Sequence, residues 1–178
     1  MTTADEVLRF WFDEHPGDWF VKNPAFDAEI RERFLALYED AAAGRVAHWA
    51  DAPRSALALV VALDQFPRNL FRGEARAFAT DPMAREVARR ILGRGWDKAM
   101  TQSERLFAYL PFEHSESLED QDLCVELMKD FDERQRWYAE RHREIIRRFG
   151  RFPHRNDGLG RQSTPAEIEF LKQPGSSF

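Results

Sequence analysis

Three stretches of the chain combine charged, amide and aromatic side chains at spacings that can do chemistry. The first covers residues 64–69 (DQFPRN) and continues to Arg72. On a helix, Arg68 and Arg72 lie one turn apart and can present two guanidinium groups to one carboxylate or phosphate. The alternative is structural: Asp64 pairs with Arg68, and the amide side chains satisfy backbone groups that Pro67 leaves free. The candidate binding residues here are Asp64, Gln65, Arg68, Asn69 and Arg72.

The second stretch covers residues 111–116 (PFEHSE) and follows an apolar helical pattern. Glu113, His114 and Glu116 form a candidate acid–base cluster, because a carboxylate beside an imidazole fixes its tautomer and raises its pKa. The His-x-Glu spacing falls two ligands short of a zinc site, so we predict no metal. The alternative is a loop in which the histidine caps a helix carbonyl and a serine caps the next helix. We take His114 and Glu116 as candidate ligand contacts.

The third stretch covers residues 147–156 (RRFGRFPHRN), which hold four arginines and a histidine. Gly150 is expected to end the preceding helix and Pro153 to prevent its resumption, so the stretch becomes an ordered loop. One or two arginines at a helix C-terminus are explained by the helix dipole, but the number here exceeds that need. The candidate binding residues are Arg151, His154 and Arg155.

These three stretches share a layout that predicts a common location. Each follows an apolar helical pattern, contains a proline at a helix end and places an aromatic residue beside charged groups. In an array of antiparallel helices the ends of alternate helices lie at the same edge. We therefore predict that the three stretches converge on one pocket lined by arginine and histidine.

The elements that must position these residues are helices. Residues 56–63 (ALALVVAL) are apolar on every side, which is typical of a helix buried at the centre of a domain. Capping boxes or Asx-Pro pairs mark helix starts at Thr3, Asn23, Asp81, Thr101 and Thr164. Pro111 is expected to stop the helix before it. Because no useful β alternation occurs, we predict an all-α fold of seven or eight helices in a single domain spanning residues 1–178.

Composition narrows the class of protein. The chain has 178 residues, 43% of them hydrophobic, and a net charge of −5, which disfavours nucleic acid and anionic membrane as partners. Its apolar runs are shorter than the ~20 residues that span a bilayer. Cys124 is the one cysteine, which excludes an internal disulfide and fits a reducing compartment. We predict a cytoplasmic protein with no membrane contact.

The motifs also resemble a known family. VLRFWF, LALVVALDQFPRNLFRG, ERLFAYLPFEHSES and RFGRFPHRNDGLGR are similar to the bacterial family catalogued as domain of unknown function 924, which is placed with tetratricopeptide-like helical proteins. The similarity runs along essentially the whole chain. It implies a compact array of antiparallel helix pairs with a concave face. It implies no established activity and no agreed catalytic residues.

The sequence favours a binding module over an enzyme. Its predicted ligand is a small anionic molecule or an acidic peptide segment, since arginine clusters bind such groups directly. One alternative is a small hydrolase or lyase that uses His114 with Glu113, Glu116 or Asp64. The chain has no nucleophile elbow, P-loop or dinucleotide fingerprint, and we predict no cofactor. The other alternative is an interaction scaffold whose polar stretches are purely structural.

Overall fold

The structure, a computed structural model, describes residues 2–177. Within that range the chain is helical and contains no strand, which confirms the predicted all-α class. The α-helices are α1 (Ala4–Leu8), α2 (Pro24–Ala42), α3 (Pro53–Val60), α4 (Phe66–Leu70), α5 (Asp81–Gly93), α6 (Gln102–Glu113), α7 (Leu118–Leu127), α8 (Glu133–Phe149) and α9 (Pro165–Leu171). None of the helices between residues 2 and 177 is long and apolar enough to cross a membrane.

The described chain divides into two compact units. The first contains residues 2–72 and 76–111, and the second contains residues 73–75 and 112–177. The boundary falls inside α6, directly after Pro111. The single-domain organisation stays a prediction.

A continuous helical run forms the centre of the first unit. A π-helical turn, Val61–Gln65, joins α3 to α4, and every residue from 56 to 67 is buried. Pro67 does not break this run. It has no N–H to donate to the Leu63 carbonyl four residues earlier, and the hydroxyl of buried Thr80 donates to that carbonyl at 2.6 Å instead. With α3, the turn and α4 counted as one, the described residues form eight helices, as predicted. The run contacts α1, α2 and α5.

Most predicted helix starts are confirmed. Thr3 and Thr164 each form a capping box with the glutamate three residues later, and Asn23 accepts hydrogen bonds from the first turn of α2. Asp81 is an exception. The N-cap of α5 is Thr80, and the Asp81 carboxylate binds Arg68 instead of the backbone of its own helix.

The predicted stop at Pro111 is wrong. α6 continues through this proline to Glu113. The carbonyls that the end of the helix leaves open are satisfied by Gln121, whose buried Nε2 donates to the carbonyls of Phe112, Glu113 and Ser115 at 3.3, 2.7 and 2.7 Å. The side-chain amide of a residue on α7 therefore caps the C-terminal end of α6.

The second unit is built on α7, α8 and α9. α7 packs along α8, and the apolar residues Ile145, Ile146, Phe152 and Phe170 form a buried cluster. Gly150 ends α8 with a φ of 69°, a left-handed conformation that glycine adopts without a steric penalty. The chain then turns sharply, so that Phe152 returns to the core directly after the helix.

Candidate functional site

The second and third predicted stretches meet in the second unit. The carboxylate of Glu116 accepts a hydrogen bond from the backbone N–H of Phe152 at 2.8 Å. It also accepts two hydrogen bonds from Arg161, at 2.7 and 2.9 Å. Glu116 therefore joins the loop after α6 to the loop after α8. The predicted convergence of the three stretches requires this contact between two of them.

Arg161 fixes the loop between these contacts. Its Nε donates to Asn156 Oδ1 at 2.9 Å, and its Nη2 also donates to the carbonyl of Phe152 at 3.1 Å. Burial alone raises the pKa of Glu116, but the hydrogen bonds from Arg161 and the Phe152 backbone hold this pKa below its usual value. Glu116 is consequently a charged anchor and not a proton donor at neutral pH.

A histidine outside the predicted stretches lies at the centre of this region. His142 projects from α8 with 4% of its surface exposed. Its Nδ1 lies 2.8 Å from the carbonyl of Tyr138, so Nδ1 carries the proton and Nε2 holds the lone pair. The same nitrogen lies 3.6 Å from a carboxylate oxygen of Glu113. The sequence signal was available, since His142 falls between Ala139 and Ile145 on the buried face of α8.

Burial keeps His142 neutral. Its pKa is about 3: burial is the main cause, the bond to the Tyr138 carbonyl opposes it, and nearby His114, His154 and Arg155 add smaller lowering effects. The contact with Glu113 is accordingly a polar contact of a neutral imidazole and not an ion pair.

Basic side chains surround one buried aromatic ring. The ring centroids of His142 and His154 lie 5.5 and 5.7 Å from that of Phe152, which is fully buried. The guanidinium carbon of Arg155 lies 4.6 Å from the same centroid, and Arg155 is 7% exposed. We call His114, His142, His154 and Arg155 the basic cluster. It brings together three predicted site residues and one that the sequence reasoning missed.

Arg151, another predicted site residue, is held by a carboxylate of the protein. Its Nε and Nη2 donate to the two oxygens of Glu167 at 2.6 and 2.8 Å, and Nη2 also donates to the carbonyl of Gln162 at 2.9 Å. The bonds from Arg151, opposed by burial and supported by Thr164, lower the pKa of Glu167 to about 2. This pair ties the loop after α8 to the start of α9.

The first predicted stretch forms its own network in the first unit. Arg68 binds both oxygens of Asp81 at 3.0 and 3.1 Å and lies 3.4 Å from the carboxylate of Asp64. Gln65 donates to the other Asp64 oxygen at 2.6 Å. The predicted pairing of Asp64 with an arginine is therefore confirmed. Arg68 also binds Asp81, for which the sequence pattern predicted a role at the start of a helix.

Arg68 and Arg72 do not face a common anion. Arg72 donates to both oxygens of Asp27 in α2, at 2.6 and 2.8 Å, and Asn69 donates to the same carboxylate at 2.8 Å. The hypothesis of two guanidinium groups on one ligand fails because each arginine reaches a carboxylate on a different helix. Convergence of this stretch with the other two stays a prediction.

One group of side chains between residues 2 and 177 has the spacing of a metal site. Ligand atoms of Glu14, His15 and Glu29 lie within 4.8 Å of one another. Arg33 already joins the two carboxylates, with its Nη1 3.0 and 2.9 Å from Glu14 and Glu29. The His15 Nδ1 lies 3.0 Å from Asp18. A guanidinium therefore supplies the positive charge that these carboxylates require.

Comparison with known proteins shows the family. Residues 7–175 match the family described as bacterial protein of unknown function (DUF924), and the chain belongs to it. A solved structure, described as that of a protein of unknown function from Agrobacterium tumefaciens, is 42% identical to this chain with a TM-score of 0.92. The match covers 96% of this chain and 97% of that chain. No curated protein matches.

Proposed function

We propose that this member of the DUF924 family is a helical binding module that holds an anionic group at the basic cluster. The observation that carries the proposal is the arrangement around Phe152, where His142, His154 and Arg155 lie within 5.7 Å of one ring. A small anionic molecule or an acidic peptide segment is the expected partner. The proposed location is the cytoplasm, where the single cysteine stays reduced.

The energetics of the cluster support an anionic partner. Arg155 carries a full charge at 7% exposure, where the interior screens charge less than water does and a nearby anion is attracted more strongly. Arg155 lies close enough to Glu116 to help lower the pKa of its carboxyl group, and Arg161 binds both oxygens of the same carboxylate. An anion beside Arg155 would gain charge-assisted hydrogen bonds from its guanidinium group.

The neutral His142 defines the inner wall of such a site. Its protonated nitrogen is directed at the Tyr138 carbonyl, so it has no N–H to offer a ligand. The anion-facing groups are therefore His114, His154 and Arg155.

The test is the thermal stability of the full chain with phosphate, sulfate or succinate at constant ionic strength. We expect at least one of these anions to raise the melting temperature of the wild type at pH 7. His154→Asn should weaken the apparent affinity about tenfold, a loss of about 1.4 kcal/mol. His48→Asn is the matched control, because His48 is exposed on the first unit. Equal responses of the two variants, or no response of the wild type, would contradict the proposal.

A second candidate function is a small hydrolase or lyase. The contact between Glu113 and His142 favours it, since a histidine with a fixed tautomer beside a carboxylate is a common acid–base arrangement. The pair differs from the predicted combination of Glu113 with His114. If catalysis occurs, Glu113→Gln should abolish turnover of generic phosphate or carboxylate esters and leave anion binding intact. Retained turnover in a folded Glu113→Gln variant would exclude this mechanism.

A further inference from the structure

The second unit also contains a groove between the end of α8 and the start of α9. Its volume is about 500 Å³, within the range of small-molecule sites. It is lined by Arg148, Phe149, Arg151, Thr164, Ala166 and Glu167. Of these, only Arg151 is among the candidate binding residues that the sequence predicted, and the groove includes no member of the basic cluster.

The charges in this groove do not cancel. Arg151 and Glu167 neutralise each other through two hydrogen bonds. Arg148 forms no ion pair with any carboxylate among residues 2–177. Its guanidinium carbon lies instead 4.7 Å from the centroid of Phe149 and 5.7 Å from that of Phe170. The groove therefore has one uncompensated positive charge beside aromatic rings.

We propose that this groove binds an aromatic carboxylate. The carboxylate matches the planar fork of Arg148, which presents two parallel N–H groups. The flat ring of the ligand packs against Phe149, which lines the groove and is half-buried because it also packs on the buried apolar cluster. A volume of about 500 Å³ accommodates one or two fused rings.

Charge and shape together select this ligand class. A simple inorganic anion would use Arg148 but would leave the aromatic wall in contact with water. A neutral aromatic would use the wall but would leave the guanidinium without a counter-charge. Only a ligand with both features uses the two properties that distinguish the groove from the surrounding surface.

Binding of benzoate and 1-naphthoate to the full chain, measured by isothermal titration, tests the proposal. We expect naphthoate to bind more tightly than benzoate because it buries more apolar area. Cyclohexanecarboxylate and benzamide, which lack the flat ring and the charge respectively, should each bind about tenfold more weakly than benzoate. Equal affinity for benzoate and cyclohexanecarboxylate would show a simple anion site and overturn the proposal.

A pair of neighbouring arginines gives a matched control. Arg148→Gln should weaken naphthoate binding about tenfold or more, because the charge-assisted bonds to the carboxylate are lost. Arg147→Gln removes the same charge one residue earlier, where the side chain faces Asp122 at 3.3 Å, and should leave the affinity within about twofold. Equal losses of affinity in both variants would show that only the overall positive charge matters. That result would contradict a specific site at Arg148.

Ala166 allows the groove to be closed without disturbing the core. Ala166→Glu places a carboxylate opposite Arg148 in the exposed first turn of α9, where a negative charge favours the helix. This variant should block naphthoate, and Ala166→Gln should block it less. Unchanged binding in Ala166→Glu would place the ligand elsewhere. Neither substitution should change the phosphate response that depends on His154, so the groove and the basic cluster are tested independently.

Discussion

The carboxylate of Glu116 binds both Nη atoms of Arg161, at 2.7 and 2.9 Å, across 45 residues of sequence. This pair joins the segment that precedes α7 to the segment that precedes α9. Since Glu116 also accepts from the backbone of Phe152, the same carboxylate fixes the residue whose ring the basic cluster surrounds. The pair therefore has a structural role of its own and also determines the geometry of the proposed site.

Replacing this carboxylate should loosen the second unit. Glu116→Gln retains the size of the side chain but loses the charge, so Arg161 is left without its counter-ion. We expect the free energy of unfolding to fall by about 1.5–3 kcal/mol, the range for hydrogen bonds to charged groups. Urea denaturation measures it. Glu119→Gln, at an exposed position of α7, is the control and should change stability by less than about 0.5 kcal/mol. Equal effects would show that the pair adds nothing specific.

The sequence predicted the fold class and the core because those depend on local patterns. An apolar run at residues 56–63 can be stable only when it is surrounded by protein, and all of it is buried. Capping boxes at Thr3 and Thr164 are local hydrogen bonds that a four-residue pattern specifies. The predicted stop at Pro111 is wrong, since α6 continues for two residues beyond the proline, and Gln121 on the next helix satisfies the carbonyls at the end reached there.

The candidate site was predicted less completely, since its contacts join residues that are distant in sequence. The polar stretches marked Glu116 and Arg155 as candidate ligand contacts. No local pattern, however, predicts that Glu116 binds Arg161 or that Arg68 binds Asp81. His142 carries a weaker signal, that of a single polar residue on the apolar face of α8, and it belongs to none of the three polar stretches. Side-chain pairing of this kind depends on the packing of helices, which the local sequence does not determine.

Glu167 should make stability sensitive to acid. Hydrogen bonds from Arg151 are the main cause of its pKa of about 2 in the folded chain, against 4.5 as the reference value. A carboxyl group with a lowered folded pKa contributes stability that is present above pH 4.5 and is lost as the pH falls toward 2. Between pH 5 and 2.5, the free energy of unfolding measured by urea denaturation should therefore fall less steeply for Glu167→Gln than for the wild type. The same pH dependence of the free energy of unfolding in both proteins would show that the ion pair is not coupled to folding.

The central helix should not tolerate a charge. Val60 is fully buried in α3, and an aspartate there would lie without a counter-ion at a cost of several kcal/mol. We expect Val60→Asp to abolish soluble expression. Val21→Asp is the control, because Val21 is 57% exposed, and it should express like the wild type. A Val60→Asp variant that unfolds cooperatively near the wild-type melting temperature would refute the assignment of α3 as the core helix.

His142 should give the second unit a separate pH dependence. Burial lowers its pKa to about 3, whereas the unfolded chain binds a proton at this histidine near pH 6.5. Between these values the unfolded state holds the additional proton, so stability falls as the pH decreases from 6.5 to 3. The slope approaches about 1.4 kcal/mol per pH unit, the value for one proton.

A neutral replacement isolates this contribution. His142→Gln retains a polar group near the Tyr138 carbonyl and removes the titration, so its stability should be nearly constant between pH 6.5 and 5. Urea denaturation at half-unit intervals measures both slopes. His48→Asn, which alters an exposed histidine, should keep the wild-type slope. Imidazole resonances that titrate in the folded protein near pH 6.5 for His142 would show that it is not buried in neutral form, and the inner wall of the basic cluster would then be charged.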